Sequence, residues 1–203
     1  GEAATAMGSA TTASGISATA MGNGTTASGI SATAMGNRTT ASGFAATAMG
    51  DQTTASGSSA TAMGVETTAS GNFATAMGVE TTAIAPLATA MGLEATASGV
   101  GATAMGDRTT AVGEYATAMG DGTNAATDRS LSIGALNSAN TFADNTLFVA
   151  GNGEVNSRSD ALVLKKDGDL ALGPSDPQDL RLHVAKDKPN AGVGDSPGAN
   201  MVL

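Results

Sequence analysis

One repeat of 14 residues dominates the chain. The pentapeptide Ala-Thr-Ala-Met-Gly occurs unchanged at residues 4–8, 18–22, 32–36, 46–50, 60–64, 74–78, 88–92, 102–106 and 116–120. Each unit also divides into halves, because this pentapeptide and two variable residues have the same frame as the Thr-Thr-Ala-Ser-Gly that follows. Five regular residues and a glycine turn, twice per unit, predict an all-β fold: a parallel β-roll solenoid with 14 residues and two short strands per coil.

The composition excludes several classes of protein. Only 2% of the 203 residues are aromatic and 28 are glycine, so an ordinary globular core is not expected. The net charge of −9 argues against nucleic acid as a partner, and the lack of cysteine excludes disulfides and thiolate-held metals. No apolar run is long enough to span a bilayer, and the chain begins in mid-repeat, so we expect a mature piece or a fragment of something longer.

The tenth unit suggests which side of the long strand faces inward. In Ser130-Leu131-Ser132-Ile133-Gly134, which keeps the register, leucine and isoleucine replace the threonine and methionine of the other units. Two apolar replacements on one side of a strand are typical of an interior face. We therefore predict a roll interior made of Met7, Met21, Met35, Met49, Met63, Met77, Met91, Met105, Met119, Leu131 and Ile133. The methionines are interpreted as packing residues and not as a metal or redox site.

The opposite side of the long strand carries only alanines, which form a flat surface. Such a surface favours close packing against sister chains, and a core this thin would be marginal in a single chain. The sequence therefore predicts an obligate oligomer.

In the second half of each unit the first threonine and the alanine are predicted to point inward. The second threonine and the serine then point outward and form columns of hydroxyl groups. These columns are the candidate binding face, with Thr26, Ser28, Thr40, Ser42, Thr54, Ser56, Thr68 and Ser70 as its central residues.

The glycines are interpreted as corner residues with positive φ, and the two variable residues after each glycine as exposed corners. One corner collects apolar residues and is more typical of a contact between chains than of a ligand site: Ile16, Ile30, Phe44, Phe73, Leu87, Val100 and Tyr115. The other corner is mainly acidic and is interpreted as solvated, although stacked carboxylates could attract a cation: Asn23, Asp51, Glu66, Glu80, Glu94 and Asp107. Residues 84–87, Ile-Ala-Pro-Leu, replace a Ser-Gly turn and predict a locally deformed coil.

Three regions are expected along the chain. Residues 1–134 form the repeat array, 135–184 a β-rich connector or neck, and 185–203 an irregular tail that continues in a longer protein. Strands are predicted at 146–151, 161–164, 169–173 and 180–184, with turns at Asn152-Gly153 and Asp167-Gly168. These strands would cap the end of the solenoid.

The small-x-small-apolar-Gly frame, repeated ten times and ending in Ser-Leu-Ser-Ile-Gly, resembles the YadA-like heads of trimeric autotransporter adhesins over residues 3–134. The family strand usually reads Ser-Val-Ala-Ile-Gly, so threonine and methionine here take the valine and isoleucine places. The resemblance implies a left-handed roll, a homotrimer, display on a bacterial outer surface and attachment to host matrix or cell-surface partners. Residues 145–184 are similar, more loosely, to connectors of trimeric phage tail fibres.

An enzyme is not expected. The single histidine, His183, lies in a predicted apolar strand, and exposed corner carboxylates have no pocket to raise a pKa. No catalytic residue, cofactor or metal ligand is assigned. The leading hypothesis is a fibrous adhesin head. The alternatives are the shaft of a phage tail fibre, in which case the chain belongs to a virion, and an ice-binding repeat protein, since threonine columns can order water.

Overall fold

The computed structural model describes residues 1–137, 146–154, 157–168 and 170–172, and every regular element in these ranges is a β-strand. Ten long strands are β1 (Thr5–Ser9), β3 (Thr19–Asn23), β5 (Thr33–Asn37), β7 (Thr47–Asp51), β9 (Thr61–Val65), β11 (Thr75–Val79), β13 (Thr89–Leu93), β15 (Thr103–Asp107), β17 (Thr117–Asp121) and β19 (Leu131–Ala135). Nine short strands alternate with them: β2 (Thr12–Ala13), β4 (Thr26–Ala27), β6 (Thr40–Ala41), β8 (Thr54–Ala55), β10 (Thr68–Ala69), β12 (Thr82–Ala83), β14 (Thr96–Ala97), β16 (Thr110–Ala111) and β18 (Asn124–Ala125).

The repeat stacks in perfect register. Each long strand pairs in parallel with the long strand of the next coil, so Thr19 lies beside Thr33 and Met21 beside Met35. The short strands form a second parallel sheet, in which Thr26 lies beside Thr40. The predicted fold class, with 14 residues and two strands per coil, is confirmed.

The interior between the two sheets consists of small side chains. In the second coil Ala18, Ala20, Thr25 and Ala27 are all 0% exposed, and the equivalent residues repeat this burial along the roll. The seventh coil has Ala95 in the threonine position. The core cluster therefore contains alanines alone among its fully buried apolar side chains.

The prediction of a methionine interior is wrong. The residues on either side of the buried Ala20, Thr19 and Met21, are half-exposed, and this pattern recurs in the other coils. At the ends of the array Met7 is 59% and Leu131 36% exposed. The residues that were predicted inside but face outward are Met7, Met21, Met35, Met49, Met63, Met77, Met91, Met105, Met119, Leu131 and Ile133.

The alanine side of the long strand is consequently the core and cannot contact sister chains. The prediction that this side packs against sister chains is therefore also wrong. The physical reason is the size of the coil. Two variable residues at each corner leave the sheets close together, so only side chains as small as alanine and threonine stack between them at each step of about 4.8 Å. The large apolar residues are left for the outer face.

Glycine recurs at two places in the coil for two different reasons. Gly50, after methionine, has φ of +128°, and a Cβ there would overlap the carbonyl oxygen of Gly64 in the next coil. Gly43, after serine, does not have a positive φ, so the prediction of a positive φ is wrong for the glycines of the second half of the unit. A Cβ at Gly43 would overlap the carbonyl oxygen of Gly57 if the backbone stayed as it is, so glycine is favoured there. It is not obligatory, because Ala85 and Thr127 occupy the equivalent position in the sixth and ninth coils.

The coil containing Pro86 is not deformed, contrary to prediction. The amide of Leu87 donates to Asn72 O at 2.9 Å and the amide of Ala88 to Ala85 O at 3.2 Å, as the equivalent residues do in the other coils. Pro86 is the first of the two variable residues of its corner. In the other described coils the amide at this position donates no hydrogen bond to a backbone carbonyl. A proline therefore removes no bond there, and its fixed φ suits the second position of a turn.

Side chains close the carboxyl end of the roll. The Asn124 amide donates to Asn137 Oδ1 at 2.6 Å, while Asn137 Nδ2 donates to Asn124 O at 2.9 Å. The amide group of Asn137 thus replaces the backbone of a further short strand. Arg158 Nη1 adds hydrogen bonds to the carbonyl oxygens of Gly122, at 2.9 Å, and Asn137, at 3.2 Å.

Three more strands continue the long sheet. Strand β20 (Thr146–Asn152) pairs in parallel with β19, whereas β21 (Asp160–Lys165) and β22 (Leu170–Leu172) are antiparallel to their neighbours. The predicted strands at 146–151 and 161–164 agree with β20 and β21. The strand predicted at 169–173 agrees with β22 over 170–172, and residues 169 and 173 lie outside the described residues. The turn at 167–168 is confirmed by a bond from Gly168 N to Lys165 O at 3.1 Å. The predicted strand at 180–184, with His183, and the tail lie outside the described residues.

Candidate interaction surfaces

The outer side of the long sheet carries a continuous column of methionines. We call it the Thr–Met face: the outward threonine and methionine of each long strand, with Leu131 and Ile133 in β19. In-register pairing stacks each methionine on the next, as in Met49 beside Met63. Adjacent members of such a column lie about 4.8 Å apart. Most of these side chains are half-buried in the single chain.

The outer side of the short sheet carries the hydroxyl columns, and we call it the Thr–Ser face. As the sequence predicted, the second threonine of the Thr-Thr-Ala-Ser-Gly half of the unit faces outward; it is exposed at Thr12 and half-exposed in the later coils. The serine of coils one to five is exposed. The candidate binding residues that lie on this face are Thr26, Ser28, Thr40, Ser42, Thr54, Ser56, Thr68 and Ser70. Each hydroxyl can both donate and accept a hydrogen bond, so the face offers a regular polar lattice to a large partner.

The Thr–Ser face is regular only over its first part. Exposed apolar residues take the serine place in two later coils, Ile84 at 50% and Val112 at 48% exposure. The uninterrupted lattice therefore extends from Ser14 to Ser70.

Each corner contains two distinct positions, which the sequence analysis had grouped together. The second residue has a positive φ, as in Ser31 (58°), and its corner is closed by a bond from Ala32 N to Gly29 O at 3.2 Å. Ile16, Ile30 and Phe44 occupy the first position of the corner after serine-glycine, whereas Phe73, Leu87 and Tyr115 occupy the second. All six of these residues are exposed.

The corner after methionine-glycine also contains apolar residues that the sequence analysis missed. Val65, Val79 and Leu93 end three successive long strands and are exposed. They stack in register, Val65 beside Val79 and Val79 beside Leu93. The signal available in the sequence was the recurrence of Val, Val and Leu at the same place in three consecutive units.

The acidic residues do not converge. Within the described ranges, no three His, Cys, Asp or Glu side chains lie close enough together to hold a metal ion. Arg108 lies between two aspartates, and its guanidinium bonds Asp107 at 3.2 Å and Asp121 at 3.1 Å. The hydrogen bond to Asp107, followed by the charges of Asp107 and Asp121, raises the pKa of Arg108 above its ordinary value. Arginine is charged throughout the physiological range in any case, so the raised pKa leaves the charge of Arg108 unchanged there.

In comparison with known protein families, the model of the YadA head domain repeat (2 copies) matches seven stretches. These are residues 1–25, 13–39, 27–53, 41–64, 55–81, 83–109 and 111–137. No curated protein matches the chain. In the described ranges, no helix has the length and apolar character needed to cross a membrane.

Proposed function

Because the chain belongs to the YadA head repeat family, whose members are structural, adhesin-type repeats, we propose that it is a non-enzymatic trimeric adhesin head. It is displayed on a bacterial outer surface and binds host matrix or cell-surface macromolecules through a repetitive face. The observation that carries the proposal is the outward methionine column, an apolar stripe along the whole roll that a solitary soluble chain would leave half-exposed.

Assembly uses the Thr–Met face. The single chain buries alanine and threonine but few larger groups, so its own core contributes little apolar burial. Packing three Thr–Met faces around one axis removes the methionines from water and supplies the missing burial. The number three comes from the family, which is typically trimeric. The sister-chain contact expected from the sequence is retained, but on the opposite side of the strand.

Attachment uses the Thr–Ser face, which points away from that axis because it belongs to the opposite sheet. Its hydroxyls are uncharged, repeat at about 4.8 Å along the roll and recur in three copies in the trimer. Many weak contacts of one kind give high avidity through effective concentration, without a deep pocket.

The test is a triple substitution on this face, Thr40→Glu, Thr54→Glu and Thr68→Glu. All three side chains are half-exposed and face water, so the roll should still fold. A control with the same charge change lies at the second, exposed position of the corner after methionine-glycine: Ala10→Glu, Arg38→Gln and Gln52→Glu. Binding is measured to plates coated with collagen, fibronectin or laminin and to cultured mammalian cells.

We expect the wild type and the corner control to bind and the Thr–Ser triple variant to lose binding, with all three remaining trimeric by sedimentation. Equal binding of the triple variant contradicts the choice of face. A trimer that binds none of these surfaces contradicts the adhesive role and favours a structural spacer, such as a fibre shaft. A folded single chain at micromolar concentration contradicts the assembly.

A further inference from the structure

Rotational symmetry dictates which edges of neighbouring chains meet in the proposed trimer. All long strands run in the same direction across the Thr–Met face, because the sheet is parallel from β1 to β19. In a trimer whose axis runs along the roll, the long strands of all three chains therefore run in the same sense around that axis. At each junction between chains, the end of a long strand therefore meets the start of the equivalent strand in the neighbour, which is a head-to-tail contact that closes into a ring.

The residues at these two edges can be read for every long strand. The start is the corner residue two places before the strand, and the end is the last residue of the strand itself. Two adjacent strands carry a large apolar residue at both edges. Strand β11 has Phe73 before it and ends in Val79, and β13 has Leu87 before it and ends in Leu93.

These four residues are exposed in the single chain. Phe73 is 62% and Leu87 55% exposed at one edge, and Val79 is 39% and Leu93 41% exposed at the other. The two edges of a strand are about 20 Å apart, since each residue advances about 3.3 Å. Neither edge can cover the other within one chain.

We propose that Val79 and Leu93 of one chain pack against Phe73 and Leu87 of the next and form an apolar belt around the trimer. This inference rests on the proposed assembly through the Thr–Met face, and its partner is a second copy of this chain. Both edges border that face directly, so the belt continues its apolar surface out to the junctions.

The neighbouring strands explain why the belt is confined to these two levels. On one side β9 is preceded by Ser59 and ends in Val65, and on the other β15 is preceded by Gly101 and ends in Asp107; beyond β9, β7 is preceded by Ala45 and ends in Asp51. An aspartate opposite a small residue leaves the carboxylate in water. The belt therefore disfavours a shift of the axial register by two coils, or by the one coil that brings Asp107 to Leu87, because each would place aspartate against phenylalanine or leucine. The opposite one-coil shift would pair Val65 with Phe73 and Val79 with Leu87.

Disulfide trapping tests the belt, since the chain has no native cysteine. The test variant carries Leu87→Cys and Leu93→Cys together. The two thiols are too far apart to join within a chain, so each disulfide must link neighbours. The matched control carries Leu93→Cys and Tyr115→Cys, because Tyr115 is an exposed residue at the start of β17, two strands and about 10 Å further along the roll. Each single cysteine variant is a second control.

After mild oxidation, denaturing electrophoresis without reductant should show the test variant as a covalent three-chain band, and the controls as single chains. Sedimentation of each protein before oxidation reports the assembly independently. A trimer whose test variant stays uncrosslinked, or whose shifted control crosslinks equally well, overturns the belt and leaves the trimer standing. A wild-type chain that sediments alone overturns both.

Discussion

The buried threonine column offers a substitution that should stabilise the protein. Thr53 is 0% exposed, and its Oγ1 has no hydrogen-bond partner. The same holds for the other members of the column: Thr25, Thr39, Thr67, Thr81, Thr109 and Thr123. Burying a hydroxyl without a partner costs about 1–3 kcal/mol. The seventh coil, which has Ala95 at this place, shows that the roll forms without the hydroxyl.

Thr53→Val replaces the hydroxyl with a methyl group of nearly the same volume. We expect the free energy of unfolding to rise by about 1–3 kcal/mol, because the unpaired hydroxyl is removed and one more methyl group is buried. For a chain of this size this corresponds to about 2–4 °C in melting temperature for each kcal/mol. Thermal and denaturant unfolding followed by circular dichroism measure the change, at a single protein concentration because assembly contributes to stability.

Thr54→Val is the matched control, since Thr54 is the neighbouring residue and faces water on the Thr–Ser face. We expect its effect to stay within about 0.5 kcal/mol, as for most surface substitutions. If Thr53→Val instead destabilises the protein by 1 kcal/mol or more, the hydroxyl forms a hydrogen bond and the reasoning is refuted.

Two further predictions concern the backbone. Gly50→Ala should lower the free energy of unfolding by more than about 3 kcal/mol, because alanine at φ of +128° is strained and its Cβ meets a carbonyl oxygen; wild-type unfolding behaviour would contradict the tight stacking. Arg158→Met should cost about 1–3 kcal/mol through the lost bond to Gly122 O at 2.9 Å, and amide exchange in the ninth coil should accelerate. Unchanged exchange would show that Arg158 does not cap the roll.

The strict period allowed most of the fold to be predicted from the sequence. Identical residues 14 apart can satisfy in-register parallel pairing in every coil, so the coil length, the two strands and the glycine corners follow from the repeat. The orientation of the second half was also predictable, because the serine and second threonine are polar and can remain in water.

The orientation of the long strand could not be obtained in the same way. Leu131 and Ile133 in place of threonine and methionine identify an apolar face, but the interior and a contact between chains both favour apolar residues. The deciding quantity is the space between the two sheets, which depends on the three-dimensional path of the corners. The apolar edge of Val65, Val79 and Leu93 was missed for a related reason, since its relation to the outer face appears only once the strand ends are placed.

The account depends on alanine facing into the roll and methionine facing out of it. The most direct test compares the melting of two adjacent leucine variants in β9, Ala62→Leu and Met63→Leu. Ala62 is 0% exposed and Met63 half-exposed, so Ala62→Leu should abolish the cooperative unfolding transition or lower it by more than about 10 °C, whereas Met63→Leu should melt within a few degrees of the wild type. Loss of the fold in Met63→Leu, with Ala62→Leu unaffected, would contradict the account.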